Sequence, residues 1–231
     1  MHSKVDQFIE QLQAFPSLPN VFNPYADFDE DNDVSTQARE YRSEHLRRYL
    51  AERVGKAKLC LIAEAPGYQG CHFSGIAMTS ERILLNHQAK NGVRSDHVIA
   101  EGAKRTSRDD GKFKALGANE PTATIVWGKM MSAGLDSREF VLWNAFCFHP
   151  MDGGYLTNRK PTTTELDRGQ HLLEAFIELF PEAKRVAIGR VSEALLAERG
   201  ITTVGQVRHP ANGGATLFRD GIQAILAGQP Q

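Results

Sequence analysis

The chain has 231 residues, 41% of them hydrophobic and 24% charged, the balance of an ordinary soluble globular protein with a core to bury. Lys and Arg number 27 against 28 Asp and Glu, so the formal net charge of -1 announces no nucleic-acid partner in bulk. No apolar run approaches the roughly 20 residues of a membrane span, and the first residues lack the apolar block of a secretory signal, so a cytoplasmic protein with no membrane partner is expected.

In chain order, residues 4–15 read as a short amphipathic helix. A loop punctuated by Pro16, Pro19 and Pro24 follows, a strap over the body, because each proline removes a backbone donor and biases its predecessor to extended geometry. Asp29, Asp31, Asp33 and Glu40 fall at the first, third, fifth and twelfth places of a calcium loop, but Val34 stands where that turn needs glycine. The strap's acidic end is therefore expected to be a solvated turn ahead of a helix over 36–54, which Gly55 ends. Residues 58–65 form a nearly continuous apolar run, the mark of a parallel strand buried on both faces. Helices are predicted over 79–88 and 122–134, with a long polar insertion, 90–121, between them. Residues 139–146 read as the second strand and 162–180 as a helix capped by Thr162 with Glu165 behind it. A third strand (184–189), a helix (191–199) with Gly200 past its end, a fourth strand (203–209) and a last helix (215–227) complete the chain. Strands alternating with helices predict a three-layer α/β/α fold with a short, four-stranded parallel sheet. Residues 1–55 pack on the body, 56–231, in one structural domain.

Ligands of open parallel sheets bind beyond the carboxyl ends of the strands. Those ends read AEAPGYQGCHFSG, NAFCFHP, IGR and RHPANGG, three of them dense in Gly, Pro, Asn, His and Phe. Ala63-Glu64-Ala65-Pro66-Gly67 with Phe73-Ser74-Gly75, then Asn144, then His209-Pro210, stand in the order and spacing that resemble the uracil-DNA glycosylase superfamily, in its branch whose first motif reads GEAPG. The resemblance runs from about residue 58 onward.

It implies a monofunctional glycosylase that flips a uracil, or a related deaminated base, out of DNA, hydrolyses its N-glycosidic bond and leaves an abasic site. By resemblance, Asn144 reads the base edge and contributes to catalysis, and His209 donates to the departing base. Phe73 is either the stacking ring or core. The water-positioning Asp or Asn of the best-known members falls at Ala65. Glu64, one place earlier, either orients water or pins the loop. The thymine-excluding tyrosine falls at Gly67, with Tyr68 adjacent, and the turn at Ala65, Gly67 and Tyr68 lines the substrate pocket. No cofactor or metal is expected. Cys60, Cys71 and Cys147 are too few and too unpatterned for the branch's iron–sulfur cluster, and Cys60 and Cys147 read as small buried hydrophobes.

Between residues 90 and 114 seven bases face four acids, so the insertion is either a phosphate-gripping flap or a solvated loop. Arg208 and the turn at Asn212, Gly213 and Gly214 are the expected DNA contacts, with Leu217 either a wedge into the duplex or core. The expected partner is DNA carrying a deaminated base, bound by a monomer. Two other readings stand beside it: a non-catalytic binder of damaged bases, which Ala65 permits, and a hydrolase of free nucleosides, which the neutral charge favours.

Overall fold

The computed structural model of the chain describes residues 3–113 and 115–228. Helix α1 (Lys4–Gln13) opens on a reciprocal cap, Ser3 Oγ accepting from the Asp6 amide while the Asp6 carboxylate accepts from Ser3 N–H. Its Val5, Phe8, Ile9 and Leu12, three and four residues apart, are all buried. The strap then runs through β1 (Val21–Phe22) to α2 (Ala38–Ala51), which has no side-chain cap and starts two residues later than expected. Next come β2 (Leu59–Ala63), the short helices α3 (Cys71–Ser74), α4 (Glu81–Leu84) and α5 (Ser95–Val98), and α6 (Pro121–Ser132). The second half holds β3 (Phe140–Asn144), β4 (His149–Pro150), α7 (Thr163–Leu179), β5 (Lys184–Ile188), α8 (Arg190–Glu198), β6 (Gly205–Val207) and α9 (Ala215–Leu226).

The parallel four-stranded sheet has the order β3-β2-β5-β6. Every residue of β2 and β3 is buried, as strands covered on both faces by helices require. The chain passes from β2 outward to β3, then returns to the other side of β2 to lay down β5 and β6. Connections therefore leave in opposite directions from β2 and β5, which makes their carboxyl ends a topological switch point. The four strands and α7 with its Thr162–Glu165 capping box lie where the sequence pattern puts them. The helix expected over 79–88 contracts to the four residues of α4.

One expectation changes. The acidic turn is only partly solvated: Glu30 and Asp31 are exposed, but Asp29 and Asp33 are buried, and Asp33 Oδ1 takes a charge-assisted bond of 2.6 Å from Arg42 Nη1 on α2. The oxygens of Asp29 and Asp33 that resembled a calcium template are thus taken by amides and side chains of the same protein. The basic insertion is pinned to the body at several points, although Lys90, Lys104 and Lys112 stay exposed. Buried Glu81 accepts the amides of Thr106, Ser107 and Ala118, Arg105 donates to the carbonyls of Ser107, Arg108 and Ala115, and Arg94 and Arg108 pair with Asp96 and Asp110. Buried Arg53 fastens α5 to the sheet by donating to five carbonyls, those of Tyr49, His97, Val98, Ser137 and Phe140. Lys114, the last of the insertion's seven bases, lies outside the described residues.

The strap is not wholly irregular. Its β1 pairs antiparallel with β4, Val21 opposite Pro150 and Phe22 opposite His149. This ladder carries the N-terminal segment to the same end of the molecule as the β3 carboxyl end.

Candidate active site

A cleft of about 380 Å³ opens at the switch point, a size that suits one small ligand. The end of β2 and its turn, Ala63 to Gly67, form one side; Ile188 to Val191, at the β5–α8 junction, form another; Arg208 and His209, after β6, form a third. The segment Asn158 to Pro161 closes it. Of the predicted residues, the cleft brings together Glu64, Ala65, Gly67, Arg208 and His209.

Local structure fixes these parts. Gly189 takes φ +87°, a left-handed value that favours glycine, and a Cβ there would stand 3.4 Å from His209 Cβ, so β5 turns into α8 close beside the histidine. Ser192 Oγ of α8 donates to the Ile62 carbonyl at 2.6 Å, tying that helix to β2. Arg159, although it lines the cleft, is committed elsewhere: its guanidinium grips both oxygens of Glu165, at 2.8 and 2.6 Å, and donates to the Asn20 and Met151 carbonyls. This fork holds the Asn158–Pro161 segment against the start of α7.

The ring of His209 has a defined proton. Its Nδ1 accepts from the Ala211 amide at 3.2 Å, which places the ring hydrogen on Nε2. Burial, seconded by the neighbouring Arg208 charge, lowers its pKa below the usual histidine value, so the ring is neutral and Nε2–H is a free donor near pH 7. Burial raises the Glu64 carboxyl, an effect that Lys160 partly offsets. Lys160, Arg190 and Arg208 are exposed and form no ion pair with the described residues, so three cations rim a cleft holding one carboxylate.

Gly67 has a steric reason. A Cβ there would stand 3.3 Å from Asn158 Oδ1 and 3.4 Å from its Nδ2. The space of a larger residue at 67 is thus occupied by Asn158, which also accepts the Tyr68 amide at 3.0 Å.

Several predicted residues lie outside the lining. Phe73 is fully buried, its ring 4.7 Å from that of Phe113 in an edge-on contact, and shows no face to the cleft. Asn144 ends β3 opposite Ala63, 2% exposed, with no hydrogen bond joining its amide to the described residues. Tyr68 lies just beyond the cleft with Lys112 Nζ of the insertion 4.9 Å above its ring. Gly214 is buried and its amide is taken by the Ala211 carbonyl at 3.0 Å, so it offers no donor to a phosphate. Asn212 and Gly213 are exposed. Leu217, in the first turn of α9, is 61% exposed while the adjacent Phe218 is fully buried, so the two part company.

The sequence reading missed Asn158 and Lys160. Their signal was a polar and basic pair before Pro161 and the Thr162 cap, placed where a tight loop must lead into α7. Among the described residues no cluster of His, Cys, Asp and Glu is arranged to hold a metal ion, and no helix is long and apolar enough to cross a membrane. All three cysteines are free and buried.

No protein-family model and no curated protein matches the chain. Among solved structures, the crystal structure of wild-type SMUG2 from Pedobacter heparinus is similar over 99% of this chain and 98% of that one, with a TM-score of 0.61 and 11% sequence identity. At that identity the likeness is one of fold.

Proposed function

We propose that this protein is a DNA glycosylase that hydrolyses the N-glycosidic bond of uracil, or of a related deaminated base, in DNA. The observation that carries the reading is the convergence, at the switch point of the sheet, of the GEAPG-like turn with a neutral histidine whose Nε2–H is unpartnered. The motif resemblance and the fold shared with SMUG2 agree with it.

Breaking a base–sugar bond puts negative charge on the departing base and positive charge on the sugar. A neutral imidazole that donates from Nε2 stabilises the first without having to give up a full proton. Glu64 and Asn158, polar groups on the facing wall, hold the attacking water beside the sugar. Asn144 is assigned the base edge, where its amide pairs with a keto oxygen and ring N–H and rejects an exocyclic amine. Lys160, Arg190 and Arg208 take the phosphates on either side of the flipped nucleotide, so that a chain of net charge -1 still presents a local basic rim. Exposed Leu217 fills the gap left in the stack.

Purified protein incubated with a uracil-containing oligonucleotide should release free uracil and leave alkali-labile sites. His209→Ala and Asn144→Ala should each abolish the release while the proteins keep their circular dichroism. Uracil release unchanged by both substitutions refutes the assignment. Binding without release points to a damage-recognition protein, and cleavage of free uridine alone points to a nucleoside hydrolase.

A further inference from the structure

A buried hydrogen-bonded chain runs from the strap to the cleft. Asp29 Oδ2 lies 2.9 Å from His72 Nε2; His72 Nδ1 lies 3.0 Å from His149 Nδ1; and His149 Nε2 lies 2.8 Å from the Thr157 carbonyl oxygen and 3.1 Å from Asn158 Oδ1. All three titratable side chains are buried, and Phe22 stacks on His72 with centroids 4.0 Å apart. Asn158 Oδ1 also receives the Tyr68 amide.

Three contacts in series need three hydrogens. Two neutral imidazoles supply two. A carbonyl oxygen cannot donate, so His149 Nε2 carries a hydrogen; burial lowers the His149 pKa to about 4, so that ring is neutral, its Nδ1 accepts and His72 Nδ1 donates. The third hydrogen then lies between Asp29 and His72, whether drawn as acid beside imidazole or as carboxylate beside imidazolium. The charged and titratable groups around the chain are Asp33 from the strap, Arg42 from α2, and Tyr155 and Arg159 from the segment after β4. The Asn158 amide, whose two ends look alike, is then fixed in one sense. Two donors converge on Oδ1, and Nδ2 is the end left for the cleft.

We propose that the hydrogen-bonded series of Asp29, His72 and His149 orients Asn158, so that these three act as positioning residues for base excision at a cleft none of them lines. The excision part rests on the glycosylase reading above; the orientation of the amide does not.

Nitrogen-15 histidine spectra of the full chain test the proton count directly. His149 should be protonated at Nε2 and bare at Nδ1, and His72 protonated at Nδ1. A His149 protonated at Nδ1 overturns the proposal. Asp29→Asn serves as the conservative variant, since its amide can donate to His72 Nε2 and keep the series intact, whereas Asp29→Leu removes the terminal partner. The single-turnover rate of uracil release should stay within about threefold in Asp29→Asn and fall about 100-fold in Asp29→Leu, the scale of a 1 Å misplacement, with binding to uncleavable DNA unchanged. The Asn158 side-chain amide resonances should move only in the second. Equal rates and unmoved resonances in Asp29→Leu overturn the proposal. If the wild-type protein releases no base from any oligonucleotide, the glycosylase reading fails, while the tautomers and the Asn158 resonances still decide the orientation.

Discussion

Gly214 offers a sharp test of how His209 is held. Its φ of -77° suits any residue, so its identity is not a matter of backbone freedom. The constraint is space: a Cβ would stand 2.1 Å from the His209 carbonyl oxygen and 3.0 Å from that of Ala211, whereas ordinary contact begins at 3.4 Å. Gly214→Ala must therefore open the 208–214 turn by more than 1 Å, and the atom pushed belongs to His209, to which the proposed function gives the donor to the base. A displacement of that size costs roughly 100-fold in rate. The same strain should cost about 1–3 kcal/mol of stability, or several degrees in Tm at about 2–4 °C per kcal/mol for a domain of this size. Gly213→Ala is the matched control. Its φ of +75° strains an alanine by roughly 1–2 kcal/mol, yet no atom lies within 4 Å of the new Cβ. Single-turnover uracil release and thermal melting of both variants separate strain from displacement. Both should melt lower, and only Gly214→Ala should lose about two orders of magnitude in rate. A Gly214→Ala enzyme as fast as the wild type would falsify the claim that this turn sets His209.

Burial raises the Glu120 carboxyl to about 7 from an ordinary 4.5, and its Oε2 is sealed without a partner. The folded protein holds that proton more tightly than the unfolded chain, so the contribution is full below about pH 4.5 and is lost as pH rises through 7. Glu120→Gln should therefore gain roughly 3 kcal/mol on the wild type between pH 4 and pH 8 in urea denaturation; a pH-independent difference refutes it. Arg53→Leu strands five carbonyls and should lower unfolding free energy by at least about 3 kcal/mol, a figure that a loss under 1 kcal/mol in the same assay would exclude. Lys160→Ala, Arg190→Ala and Arg208→Ala should each reduce the slope of log affinity against log salt for single-stranded DNA by about 0.7; unchanged slopes place the phosphates elsewhere. Because Lys160 lines the cleft, borohydride trapping checks hydrolysis against Schiff-base chemistry: no covalent adduct should form, and Lys160→Ala should still release base.

The sheet was legible because strands covered on both faces cannot alternate. The continuous apolar run of 58–65 and the caps at Thr162 and Gly200 leave little choice of structure. The cleft was half legible, since strand-end turns are local in sequence and the switch point follows from strand order. The strap was misread for a physical reason. Asp29 and Asp33 look like surface acids until Arg42 and His72, from two other elements, come to meet them, and such pairings leave no local pattern. The two-residue ladder of β1 and β4 is too short for any period to show. Phe73 is ambiguous in the sequence because an aromatic ring is equally suited to a core and to a stacking wall, and its burial against Phe113 depends on a residue forty positions away. Asn158 escaped because its place beside Gly67 is a contact between segments about ninety positions apart.

The ladder of β1 and β4 also bears on how the chain is made. It joins two segments more than a hundred positions apart, the earlier of which is made first. At roughly 5–20 residues per second, Phe22, Tyr25 and Asp29 emerge many seconds before His149. During that interval the strap has aromatic rings and carboxyls to keep in water, and the first-motif turn has no Asn158 to rest on. Ribosome-stalled chains ending near residue 148 should be protease-sensitive in the strap, and chains extended through α9 should be protected. The cleft therefore cannot close until Asn158 and His209 have followed Glu64 out of the ribosome, so its walls are assembled long after its carboxylate is made.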